Sequence, residues 1–151
     1  MKKVKLILKE EDIEYDFNRI RNAKDVIEFI NSIEQMNLLA EETTFLICLN
    51  TKNEIVAYSE IAKGGIDQCP IDIKTIFKTV LLSNANKFIL IHNHPSGDST
   101  PSQADKNITK RIKQASDIMN IEFLDHIIIA GDTFTSCMIE RWWEYGERHE
   151  G

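Results

Sequence analysis

The chain has 151 residues, 42% hydrophobic and 28% charged, which is enough apolar material for one core of the usual domain size, about 150 residues, and too little length for two full domains. That balance excludes a disordered chain, and three cysteines are too few for a disulfide scaffold. With 18 Lys and Arg against 24 Asp and Glu the formal charge is −6, so an acidic surface repels phosphate backbones and weighs against nucleic acid as a partner.

Val4, Leu6 and Leu8 alternate with charged neighbours, predicting a short strand with one covered face. The segment MKKVKLILKEED regains charge after only a few apolar residues, too early for a signal peptide, and no run reaches the ~20 apolar residues of a spanning helix. Cys48, Cys69 and Cys137 lack C-x-x-C spacing and read as reduced, packed thiols. Together these features lead us to expect a soluble cytoplasmic protein that does not engage membranes.

Val26, Ile30, Ile33 and Leu38 predict an amphipathic helix over residues 25–40, with Asn22 able to cap it. Two apolar runs, 45–50 and 55–62, flank TKNE as a β-hairpin that Gly64-Gly65 ends. Ile73, Ile76, Phe77, Val80 and Leu81 mark a second helix opened by Pro70 and Asp72, and the run FILI (residues 88–91) has the profile of a buried strand. After HPSGDSTPS, the spacing of Ile108, Ile112, Ala115 and Met119 predicts a third helix with Ser102 as its cap. Runs 127–130 and 133–139 flank Gly131-Asp132 as a second hairpin. Helices alternating with strands, without an internal repeat, point to a single α/β domain with a mixed β-sheet flanked by helices. The order of the strands is not readable.

His92 and His94 stand two residues apart at the end of the 88–91 run. If the strand continues, their side chains project the same way from Cα atoms ~6.6–6.8 Å apart. Two imidazoles, a carboxylate and a water form a tetrahedral zinc site with one open position. Asp105 is the candidate carboxylate, and Pro95, Gly97 and Pro101 supply the turn chemistry that folds the chain back. Each part also has a plainer reading. The histidines can be solvated or hydrogen-bonded, and Ser102-x-x-Asp105 is close to a capping box. Capping does not exclude a role beside a metal.

Taken together, His92-Asn93-His94, seven residues, Ser102, two residues, Asp105 resembles the H-x-H-x7-S-x2-D signature of JAMM (JAB/MPN) metalloproteases. IHNHPSGDSTPSQAD and the later Leu124-Asp125-His126-Ile127 resemble the RadC-like branch. The resemblance covers about residues 43–140 and implies a cytidine-deaminase-like JAB/MPN domain. Residues 1–42 are then an N-terminal extension, a strand and an amphipathic helix packing on that domain, and residues 141–151 an aromatic tail. Longer RadC proteins carry a helix-hairpin-helix region that residues 1–42 do not resemble, so the chain looks like the stand-alone type.

The resemblance implies that His92, His94 and Asp105 hold Zn²⁺, that Ser102 steadies an oxyanion, and that an upstream glutamate is the general base. Glu60, in YSEIAKGG at the end of the second hairpin strand, is assigned as that base, with Glu54 in the turn as the alternative. A one-residue slip in register would turn Glu60 to the other face. The implied activity is zinc-dependent hydrolysis of a peptide or isopeptide bond, with a peptide or protein substrate. Two other classes stay open: a non-catalytic zinc-containing scaffold or binding module, and a DNA-repair-associated factor, suggested by the family name and opposed by the charge. His126 reads either as a residue that orients a metal ligand from behind or as a hydrogen-bonded core histidine. His149 is expected in water. Trp142, Trp143 and Tyr145 either pack on the domain or form a patch for self-association.

Overall fold

All seven residues of Thr43–Leu49 are buried, as befits the interior strand of a sheet covered on both faces. The computed structural model describes residues 1–5, 19–65 and 71–140. In chain order these form α1 (Ala23–Glu34), a 3₁₀ turn (Met36–Leu38), β1 (Thr43–Leu49), β2 (Ile55–Lys63) and α2 (Ile73–Leu82). There follow β3 (Lys87–Asn93), α3 (Gln103–Met119), β4 (Glu122–Ala130), β5 (Thr133–Ser136) and the short α4 (Cys137–Glu140). The strand order is β2-β1-β3-β4-β5. Among the described residues only β3 and β4 pair in parallel, and α3 is the crossover that a parallel pair requires. The mixed sheet flanked by helices is the α/β class read from the sequence.

Alternation along β1 divides the core. Phe45, Ile47 and Leu49 face α1 and meet Val26, Phe29 and Ile30. Leu46 and Cys48 face the other way, where Phe88 and Leu90 of β3 pack with Ile76 and Val80 of α2 and Ile112 of α3. Phe88 anchors this second layer, stacked on Phe123 at 4.9 Å and edge-on to Phe77 at 5.8 Å. The helix caps form where side chains can reach unpaired amides: Asn22 accepts from Asp25, Asp72 from Lys74 and Ser102 from Asp105. Among the described residues no helix is long and apolar enough to cross a membrane.

Three local expectations change. Helix α1 stops at Glu34 rather than near residue 40, because Gln35 adopts a left-handed conformation (φ 49°) and donates its N–H to Asn31; Leu38, assigned to the buried face, is 73% exposed. The last strand ends at Ser136 instead of residue 139. There Ser136 Oγ accepts from the Ile139 amide and Asp125 Oδ1 from the Met138 amide, which turns the chain into α4. Val4 is exposed and outside any strand, while the rest of that proposed strand lies outside the described residues. Cys69, Pro70, Trp142, Trp143, Tyr145 and His149 also lie outside them.

Candidate metal centre

Strand β3 ends at Asn93, but the His94 amide still donates to Ile129 O of β4 at 2.8 Å. Extended alternation therefore persists one residue further, and His92 and His94 fall on one side with ring centroids 4.9 Å apart. The chain then reverses through Gly97 (φ 86°), a left-handed position that suits glycine. It enters α3 through a full capping box: Ser102 Oγ accepts from the Asp105 amide at 3.0 Å, and Asp105 Oδ2 accepts from the Ser102 amide at 2.8 Å. This box aims the carboxylate back at the strand end. Asp105 Oδ1 lies 3.4 Å from His92 Nε2, and Oδ2 lies 3.3 Å from His94 Nε2. The capping reading and the site reading of Ser102-x-x-Asp105 thus coexist.

The acid that joins them from upstream is Glu42, not Glu60. Thr44 pairs with His92 across the antiparallel β1–β3 ladder, so two residues earlier, on the same face, Glu42 comes opposite His94. Its Oε1 is 3.4 Å from His94 Nε2, and Glu42, His92 and His94 each offer a ligand atom within 4.8 Å of the others. Asn93 faces away and clamps the backbone on both sides of Glu42, accepting from the Thr43 amide at 2.8 Å and donating to Glu41 O at 3.1 Å. A Cβ at Gly65 would stand 3.0 Å from Glu42 Oε2, so a glycine there leaves the carboxylate its space.

Glu60 is exposed and pairs with Phe45. The register shift between Thr44 and Phe45 leaves Ile61 without a cross-strand partner, and Glu60 takes the face of Phe45 and Ile91, opposite to His92. Glu54 accepts from Asn50 Nδ2 at 3.3 Å, in the hairpin turn at the far end of β1. Neither is beside the histidines. In the sequence Glu42 is only a charged residue just before an apolar run, a local pattern that marks no site.

Hydrogen-bond chemistry dictates how each imidazole faces the centre. His94 Nδ1 is 2.9 Å from Asp98 O, and a carbonyl can only accept, so Nδ1 carries a hydrogen and, in the neutral ring, Nε2 offers a lone pair. Behind His92 lies a buried chain. Thr109 Oγ1 is 2.7 Å from Asp105 O and 2.6 Å from His126 Nδ1, and His126 Nε2 is 2.7 Å from His92 Nδ1. Thr109 has one hydroxyl hydrogen, which goes to the carbonyl; His126 must then donate from Nδ1 and accept at Nε2 from His92 Nδ1–H. His92 Nε2 is left as a lone pair, 3.0 Å from that of His94. Two bare nitrogens and two carboxylates facing one another call for a cation.

The electrostatics agree. Burial alone would raise the Asp105 carboxyl, yet hydrogen bonds from His92 and His94 in their proton-bearing forms outweigh that and hold it well below the usual carboxylate range, so this corner favours positive charge, whether a proton or a metal ion. His94 is raised above its ordinary 6.5, chiefly by the hydrogen bond to Asp105. Burial pushes His126 well below 6.5 and so keeps it neutral. The donor set fits a metal ion: imidazoles with carboxylate oxygens, one imidazole backed by a carbonyl and the other by a second imidazole.

Fold and site together define a three-layer α/β domain with a two-histidine, two-carboxylate centre where a strand end meets a helix start. The chain belongs to the RadC-like JAB domain family, which it matches over residues 20–142, a span that includes α1. It is 42% identical to a UPF0758 protein of Clostridium botulinum and 39% identical to one of Clostridium perfringens, each over 118 residues, 78% of this chain and 51% of the relative. A UPF0758 protein of Flavobacterium johnsoniae is 38% identical over 122 residues, 81% of this chain and 52% of the relative. The chain spans about half the length of the curated relatives it matches.

Proposed function

We propose that this domain is a metal-dependent hydrolase that cleaves amide bonds in peptides or isopeptides, with zinc held by His92, His94 and Asp105. The observation that carries the reading is the convergence of four acceptors with their lone pairs inward. Two imidazoles and one fixed carboxylate, with a position left open, are a ligand set that suits catalytic zinc. When bound, zinc supplies Lewis-acid polarisation and lowers the pKa of water toward ~7.

The two carboxylates divide the remaining work. Asp105 is buried and pinned by its capping box, which suits a ligand. The Glu42 side chain is 25% exposed, and its Oε1 stands 3.4 Å from His94 Nε2. Its Oε1 takes the proton of the attacking water and delivers it to the leaving amine, the role the sequence reading assigned to Glu60. Ser102 accepts the Asp105 amide through a lone pair and keeps its hydroxyl hydrogen for the substrate carbonyl oxygen as negative charge grows there. A cytoplasmic setting belongs to the same proposal, supported by two free, buried thiols, Cys48 and Cys137, of which burial pushes Cys48 up to about 12.

Elemental analysis of protein purified without added metal should find about one zinc per chain, and His94→Ala should lose it. Metal-free, normally folded wild type would sink the site. With zinc loaded, Glu42→Gln should keep the metal and abolish cleavage of a proteome-derived peptide mixture followed by mass spectrometry; unchanged activity removes Glu42 from the mechanism. Zinc-loaded wild type that cleaves nothing favours a scaffold, and a salt-sensitive shift of DNA favours a repair-associated role.

A further inference from the structure

Thr109, His126 and His92 form a continuous hydrogen-bonded file with no surface exposure beyond 1% at any of the three residues. The file starts from the backbone of Asp105, because Thr109 Oγ1 binds the carbonyl one turn earlier in α3. Its far end is the nitrogen that faces the Asp105 carboxylate. Residue 105 therefore touches His92 twice: directly through its side chain, and through three hydrogen bonds in series that begin at its own main chain. Asp125 accepts the His126 backbone amide at 2.8 Å, and Ser136 Oγ donates to the same carboxylate at 2.5 Å. Both rings in the file are buried.

We propose that Thr109 and His126 are positioning residues that lock His92 in its Nδ1–H form and so keep Nε2 turned, as a lone pair, into the centre. The proposal rests on the metal reading given above for what His92 does with that lone pair, but the locked hydrogen-bond direction stands without a metal. The direction is one-way: a threonine hydroxyl that donates to a carbonyl can only accept from an imidazole. Reversing the file would place a hydrogen on His92 Nε2, where it would block the site. Outer partners of this sort usually change metal affinity by 10- to 100-fold when removed. Thr109→Val keeps the shape and removes the hydroxyl, whereas Thr109→Ser keeps the hydroxyl.

Two measurements test this. Zinc affinity, read by competition with a chromophoric chelator, should fall about tenfold or more in Thr109→Val and return toward wild type in Thr109→Ser. Wild-type affinity in Thr109→Val, or an equal loss in Thr109→Ser, overturns the proposal. Long-range ¹H–¹⁵N spectra of ¹⁵N-histidine-labelled, metal-free wild type at mildly alkaline pH should show His126 as the Nδ1–H tautomer. The Nε2–H tautomer overturns the proposal even if every variant folds poorly. Should wild type bind no zinc, the metal reading fails, and the tautomer of His126 alone decides the relay.

Discussion

His94 stands between two carboxylates, with Asp105 Oδ2 at 3.3 Å and Glu42 Oε1 at 3.4 Å, and chiefly its hydrogen bond to Asp105 raises its pKa in the metal-free protein. A histidine raised above its unfolded value stabilises the fold fully below 6.5 and loses that contribution as pH rises through the raised value. His126 acts in the opposite sense, since the unfolded chain takes up a proton below 6.5 that the buried ring refuses. Comparison with a variant separates the two. In chelator-treated protein, His94→Gln should be most destabilising below pH 6.5, with the deficit shrinking as pH rises; thermal melts across pH check this, and a constant deficit overturns it. At this scale His92, His94, Ser102 and Asp105 were legible because one short loop carries them all. Glu42 was not, because only strand pairing brings it there.

Helix α3 shows how one element serves both stability and site. Its capping box satisfies two backbone amides, Ser102 and Asp105, and the same geometry sets the direction of the Asp105 carboxylate. Ser102→Ala should lower the unfolding free energy by about 1 kcal/mol, measured by urea denaturation. Zinc should still bind, since the Ser102 backbone amide that orients Asp105 remains. A cleavage rate that falls no further than this modest loss of stability explains would remove Ser102 from oxyanion stabilisation. The cap was readable because Ser-x-x-Asp before an apolar helical face is a local pattern. The ends of α1 and β5 were less so: Gln35 and Ser136 carry no strong stop signal, and their turns depend on partners at Asn31 and Asp125.

Across the whole molecule, α1 belongs to the core. Val26, Phe29 and Ile30 are each no more than 2% exposed, packed on the β1–β3–β4 face that would otherwise meet water. Returning such side chains to water costs ~1.5–3 kcal/mol apiece, against a total domain stability of about 5–15 kcal/mol. A chain starting at residue 43 should therefore fail to melt cooperatively by circular dichroism; a sharp transition near that of the full chain would show that α1 is dispensable. Periodicity, capping residues and one tightly spaced motif were enough, by themselves, to determine the three main helices, the two hairpins, the α/β class and three of the four residues at the centre, because these signals act over a few positions. Tertiary structure alone decided the fourth. Whether Glu42 or Glu60 reaches His94 depends on the β1–β3 register and on one unpaired residue, Ile61, and a shift of one position exchanges the two faces of a strand.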